Sequence, residues 1–275
     1  MPASILSFDV GEFRCHAIDD GVSTYATGAF LFASASEAQY GHAILELGQD
    51  PKAIPCSNTC LLVEAGAVTI LIDTGLGAVA EAGNGVDNLG QLRSGLDELG
   101  VKPSDIDIVI LTHLHGDHSF GCLAEDGKRP VFTAARHVVH RAEWDHIHPS
   151  LADRADALMQ LFDSVEGNEA VLPGVGLVAA PGHSCGHCAV HIESGGEVLL
   201  CVGDAIAHPL NLRHPEWTMA HETNPSLAIA SRRKLIDLAI SEHSLVHAFH
   251  MPFPSVGKIV PTEEAYQWKP LSCAS

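Results

Sequence analysis

The sequence predicts a single α/β sandwich, on three observations. Short apolar runs rich in β-branched residues alternate with helical stretches twice along the chain. Neither an internal repeat nor a linker rich in Pro, Gly or Ser divides it. Its 275 residues are 46% apolar and 18% charged, with a mean hydropathy of +0.15, which is ample material for a core and unlike a disordered or fibrous chain. The expectation is one domain over residues 1–275 with a loop insertion at about 21–55.

Taken in order, residues 13–18 alternate as a strand does. Residues 21–55 are rich in Gly, Ala and Ser, carry Phe30, Phe32 and Tyr40, and read as a long, partly ordered loop. Residues 59–63 and 68–72 are β-rich runs on either side of Glu64-Ala65-Gly66-Ala67, a hairpin that ends at Asp73-Thr74-Gly75. Leu92 and Leu96 give residues 89–99 a helical spacing, and Gly100 stops it. Residues 107–111 form a short buried strand. Further strands are expected at 130–133, 175–180, 189–192 and 198–202, and helices at 136–144 and 151–161. The last helix is the best marked: Asn224 caps it, Pro225 suits its first turn, and apolar residues run from Leu227 to Ile240.

Charge narrows the function. Lys and Arg number 15 against 34 Asp and Glu, a formal net charge of −19 that repels a phosphate backbone or an anionic membrane surface. Nucleic acid and membrane are therefore excluded as expected partners, leaving a small-molecule substrate and, at most, a second copy of the chain as a homodimer. No apolar run approaches the ~20 residues needed to span a bilayer, and the first residues lack the pattern of a secretory signal, so the expected location is cytoplasmic. Eight scattered cysteines are then expected as thiols.

Histidine, at 18 residues, is the unusual count. In His113-x-His115-x-Asp117-His118, alternate residues of an extended segment point the same way, so His113 and His115 converge on one ion while the following turn aims Asp117 and His118 at a neighbour. A polar loop of capping Asp and solvated His is the plain alternative. Four potential ligands in six residues directly after a buried strand argue against it. His183, Asp204 and His250 each follow a further apolar run, and a sheet gathers such strand ends on one edge.

With Asp73-Thr74-Gly75, the 113–118 motif, Pro181-Gly182-His183-Ser184-x-Gly186-His187, Gly203-Asp204 and His250 in this order, the chain resembles the metallo-β-lactamase-fold hydrolase superfamily over about residues 57–255. The resemblance implies a four-layer αββα sandwich with two divalent metal ions, zinc foremost. It places one ion on His113, His115 and His183, the other on Asp117, His118 and His250, with Asp204 bridging and a hydroxide shared between them. Such a site makes a nucleophile from water near neutral pH. Asp117 is the expected catalytic residue, assisting the leaving group, and Asp73 and His187 are expected to hydrogen-bond behind the ligands.

The segment His250-Met251-Pro252-x-Pro254-Ser255-x-Gly257, with Tyr266-Gln267-Trp268-x-Pro270, is similar to the branch of methyl-parathion-hydrolase-type phosphotriesterases and related lactone and ester hydrolases. The expected activity is cleavage of small neutral esters, lactones or phosphotriesters, with β-lactam or thioester hydrolysis as the alternative. A non-catalytic metal-binding or redox module using Cys185 and Cys188 is the other class. Lactone-cleaving members place a tyrosine where this chain has Ala207, which favours good leaving groups here unless His208 bends inward to act as the acid. Phe30, Phe32, Trp144, His208, Trp217 and Met219 are the candidate pocket walls. The other histidines, among them His137, His140, His146, His148, His214, His221, His243 and His247, are read as solvated or packed.

Overall fold

A computed structural model describes residues 3–77, 86–87, 90–146 and 154–272. Among these, the strands form two mixed sheets. The first contains β1 (Ile5–Val10), β2 (Phe13–Tyr25), β3 (Ile54–Ala65), β4 (Val68–Ile72), β5 (Val86–Asp87), β6 (Ile108–Ile110), β7 (Arg136–His140) and β8 (Phe162–Val165). Its spatial order is β1-β2-β3-β4-β6-β7-β8, and β5 pairs with β2. The second contains β9 (Ala170–Leu172), β10 (Val175–Ala179), β11 (Cys188–Ser194), β12 (Glu197–Cys201), β13 (Leu245–His247), β14 (Val256–Pro261) and β15 (Tyr266–Pro270), ordered β15-β14-β13-β12-β11-β10-β9.

The layering follows from the two-residue period of a strand. On β3, Leu61 and Val63 face the second sheet, while Cys60 and Leu62 face outward. On β12, Leu199 and Cys201 face the first sheet and Leu200 faces outward. Helices α1 (Glu37–Glu46), α2 (Leu92–Glu98), α3 (Gly116–Ser119), α4 (Ala142–Asp145), α5 (Ala155–Met159), α6 (Leu210–Arg213) and α7 (Pro225–Ser241) complete the chain. Leu92 and Leu96 of α2 and Leu158 of α5 cover the outer face of the first sheet; Leu235, Ile236 and Ala239 of α7 cover that of the second. The result is the αββα sandwich. Each fully buried Leu or Ile in it contributes about 1.5–3 kcal/mol.

Several expectations need correction. Residues 21–55 are not a loop throughout. β2 continues to Tyr25 past an irregularity at Asp19/Gly21, and α1 starts on a capping box in which the Ser36 side chain accepts from Gln39 N–H while the Gln39 side chain caps Ser36 N–H. Arg136–His140 is a strand, not helix, because its β-branched pair Val138-Val139 fills a parallel ladder between β6 and β8; helix resumes only at Ala142. Residues 130–133 form no strand, and Pro130 makes only an isolated bridge to Leu123. The helix expected at 151–161 is α5, and residues 151–153 lie outside the described residues. The other expected elements are present. Asn224 Oδ1 accepts the Leu227 N–H at 3.1 Å, and Pro225 opens α7. None of the described helices is long and apolar enough to cross a membrane.

Candidate dinuclear metal centre

The parallel pairs β4/β6 and β12/β13 send their chains toward one edge of the sandwich. Asp73 follows β4, His113 follows β6, Asp204 follows β12 and His250 follows β13, while β10 leads into His183. Backbone special cases hold these exits. Gly182 has φ +133°, and a Cβ there runs into the backbone N of Ala228 in α7, whose start is tied to the His183 loop by Asn224 N–H to Gly182 O at 2.9 Å. Gly203 has φ +49°, and a Cβ there meets His187 Nε2 at 2.6 Å.

Two groups of ligand atoms gather at this edge. In the first, His113, His115, His183 and Asp204 lie within 4.8 Å of one another; in the second, Asp117, His118 and His250 do. Asp204 joins them: Oδ2 is 3.2 Å from His183 Nε2 and 3.3 Å from His250 Nε2, and Oδ1 is 3.1 Å from His118 Nε2. Asp117 Oδ2 is 3.3 Å from His250 Nε2.

The far ring nitrogens of His113, His118 and His250 are engaged elsewhere, which turns their near ones inward. His118 Nδ1–H donates to Asp73 Oδ2 at 2.9 Å, His250 Nδ1–H to Ser57 O at 2.8 Å, and His113 Nδ1–H to the Thr112 hydroxyl at 3.1 Å. Asp73 also accepts the Thr112 N–H at 2.8 Å and the Thr112 hydroxyl at 2.9 Å, so one buried carboxylate orients both groups. His187 accepts the Asp204 N–H at 3.1 Å and donates to Ala180 O at 3.1 Å. Asp73 and His187 thus hydrogen-bond His118 and the Asp204 N–H from behind the facing ligand atoms.

The electrostatics suit cations. Burial pushes His113 well below the ordinary imidazole value and His115 down to about 2, so both are neutral. Yet His115 Nδ1 faces His113 Nε2 at 2.9 Å and His183 Nε2 at 3.0 Å, a convergence of nitrogens that a shared cation satisfies. On the other side burial opposes the charge of His118, but Asp204, Asp73 and Asp117 outweigh it and push it up to about 10. His118 Nε2 and Asp204 Oδ1 are buried without a hydrogen bond. Three histidines with one shared carboxylate, beside a second carboxylate and two further histidines, are the nitrogen and oxygen donors of two divalent ions, zinc foremost.

The metallo-beta-lactamase superfamily profile matches residues 53–250. The chain belongs to that superfamily. As a member it is a metal-dependent hydrolase. An N-acyl homoserine lactonase of Bacillus thuringiensis is 30% identical over 209 residues, 70% of this chain and 80% of the relative. Among solved structures, AidC, a dizinc quorum-quenching lactonase, superposes with a TM-score of 0.89 at 23% identity over 99% of both chains. The hydrolase AbOPH superposes at 0.88 with 22% identity over the full length of both. These relatives support the superfamily and do not single out the methyl-parathion-hydrolase branch within it.

A cavity of about 360 Å3 opens over this superfamily member's ligands. Phe30 and Met219 line it, as expected, together with Tyr25, Leu31, Leu76 and His221. Four expected walls do not. Phe32 and Trp217 are buried with α1 in a satellite core, Trp144 packs toward Phe162 outside the first sheet, and His208 lies outside the lining. His208 Nε2 is 3.1 Å from Gln49 Oε1 and its Nδ1 accepts the Leu210 N–H at 3.2 Å; burial pushes it down to about 4. It is a packed residue, not a replacement acid.

Three functional positions are absent from the sequence-level expectations. His221, read there as solvated or packed, has its ring 4.7 Å from that of His183 and 5.2 Å from that of His115. Tyr25 ends β2 and faces the cavity, past the irregularity at Asp19/Gly21 that breaks the alternation of residues 13–18. Glu143 is buried, and its carboxylate accepts the Leu114 N–H at 2.9 Å and the Gly186 N–H at 2.7 Å, clamping the two ligand loops of the first group together. Glu143 lies in α4, inside the stretch expected as helix, and nothing in that local pattern marks contacts made across the fold.

Proposed function

We propose that this chain hydrolyses small neutral esters and lactones at two divalent ions, one held by His113, His115 and His183 and the other by Asp117, His118 and His250, with Asp204 between them. The observation that carries this reading is the charge of the cavity wall. No Lys or Arg is among its described lining residues, and the undescribed segments contain none. A β-lactam carboxylate or the phosphates of a nucleotide thioester would find no Lys or Arg among the described lining residues to hold them beyond the ions themselves. A neutral acyl group instead meets Phe30, Leu31, Leu76 and Met219. The lactonase relatives support the same class.

Bound at these donors, divalent ions supply a nucleophile from water near neutral pH and polarise the substrate's acyl oxygen. The chain's own residues do the rest. Asp117 is the most exposed of the ligand carboxylates, its side chain 31% accessible against 5% for Asp204, and it lines the cavity. Burial opposes its charge, yet His118 and His250 hold it below the usual carboxylate range. Asp117 takes the proton released by the attacking water and hands it to the departing oxygen, so that water and ester become acid and alcohol. The redox alternative fares poorly: burial pushes Cys188 up to about 12, which keeps it a thiol, and its Sγ–H donates to Gly186 O.

The test is a panel on the zinc-loaded protein: an N-acyl homoserine lactone, an aryl ester, an aryl phosphotriester, a β-lactam and a nucleotide thioester. Neutral substrates should exceed the anionic ones in kcat/KM by about 100-fold or more. A preference for the β-lactam or the thioester overturns the reading.

A further inference from the structure

We propose that the Tyr25 hydroxyl is a catalytic hydrogen-bond donor to the departing oxygen of the substrate, an assignment that rests on the hydrolase reading of the centre. Ester and lactone cleavage leaves charge on an alkoxide, and Ala207, three residues beyond Asp204, brings no donor to the cavity wall. The opposite sheet does. Ser23 and Tyr25 lie on one face of β2, and both line the cavity. Tyr25 shares the cavity lining with the ligands His115, Asp117, Asp204 and His250. No hydrogen bond from a described residue occupies its hydroxyl.

The ring is held rather than free. Tyr25 stacks on Phe30 with centroids 5.4 Å apart and planes at 11°, and Phe30 stacks in turn on His221 at 4.6 Å and 11°. The three rings make a parallel stack beside the ligands, with His221 against the first group and Tyr25 at the other end of the stack. Stacking fixes the phenol plane without using its oxygen, so the donor is preorganised for a charge that develops only during reaction. Burial and the neighbouring Cys56 push the phenol above its ordinary value, which keeps the proton on it. As the acyl C–O bond breaks, Tyr25 donates a hydrogen bond to the departing oxygen and retains its proton. The proton that completes the alcohol is the one Asp117 took from water, and Tyr25 ends the step unchanged.

The experiment compares wild type with Tyr25→Phe, which keeps the stack and removes only the hydroxyl. Both are loaded with zinc and assayed on matched aryl and alkyl esters and on an unstrained alkyl lactone, with zinc content measured on the same samples. The expected result is unchanged zinc content, aryl-ester kcat/KM within about threefold of wild type, and a loss of about 100-fold on the alkyl substrates, so that log kcat/KM falls more steeply with leaving-group pKa. Equal losses on aryl and alkyl substrates, or no loss on either, overturn the Tyr25 assignment while the hydrolase reading stands. A wild-type protein that holds two zinc ions and cleaves none of the three overturns both.

Discussion

The backbone N–H of Asp204 donates to Nε2 of His187 at 3.1 Å, so the carboxylate shared by both ligand groups is set by a histidine that touches neither the cavity nor a ligand atom of its own. Burial pushes His187 down to about 3, which keeps it neutral and able to accept. His187→Phe keeps the ring and removes both polar atoms, orphaning the Asp204 N–H and Ala180 O. Zinc affinity should fall by about 10- to 100-fold with the fold retained, as read by competition with a chelator and by circular dichroism. Wild-type affinity would show that Asp204 needs no such support.

Glu143 makes a second prediction. Its two carboxylate oxygens accept N–H groups from Leu114 and Gly186, and so bind the loop carrying His113 and His115 to the loop carrying His183. Glu143→Gln turns one acceptor into a donor aimed at a donor. It should cost about 1–3 kcal/mol by chemical denaturation. It should also weaken the first zinc site more than the second, which titration with a spectroscopic divalent ion resolves.

Arg232 is fully buried on α7 and donates to Ala205 O at 2.7 Å, Pro215 O at 2.7 Å, Trp217 O at 2.6 Å and Glu222 Oε1 at 3.1 Å. It ties the helix to the segment after Asp204 and to the loop bearing Met219 and His221. Arg232→Met leaves Glu222 buried without its partner and should cost about 3–5 kcal/mol. The double variant with Glu222→Gln should recover part of that loss; a single variant as stable as wild type would contradict the account.

The pH dependence of metal binding has a definite sign. Without metal, burial is outweighed by the carboxylates, which push His118 up to about 10 and His250 well above its ordinary value, so both carry protons at neutral pH. A metal binds the neutral imidazoles and displaces those protons. Affinity should therefore rise with pH across about pH 6 to 8, tenfold per unit for each proton displaced, and calorimetry in buffers of different ionisation enthalpy should detect proton release. An affinity independent of pH over that window would contradict it.

The ligands were legible in the sequence because each follows a buried apolar run, and six residues hold four of them. Asp73 and His187 were legible through motifs adjoining those runs. The cavity was less so. Phe30 and Phe32 are two positions apart in one segment, yet Phe30 faces the ligands while Phe32 packs against Tyr40 and Trp217, a division made by α1 and its neighbours rather than by local pattern. The cap of α1 is made by Ser36 with Gln39, inside a stretch whose Gly, Ala and Ser composition reads as loop. Glu143 reaches Leu114 and Gly186, 29 and 43 positions away in sequence, and Tyr25 shares its cavity with ligands as distant in sequence as His250, and no local pattern marks such contacts.

The most direct test of the central claim is a zinc titration of the metal-free protein with lactone turnover and bound metal measured on the same samples. Six terminal ligands and one shared carboxylate are too many for one tetrahedral ion, so the account predicts saturation at about two zinc ions per chain, with turnover reaching its plateau only as the second site fills. Asp204→Asn should abolish most of that turnover while leaving the protein folded. Saturation at one ion per chain, or full turnover by Asp204→Asn, would contradict it.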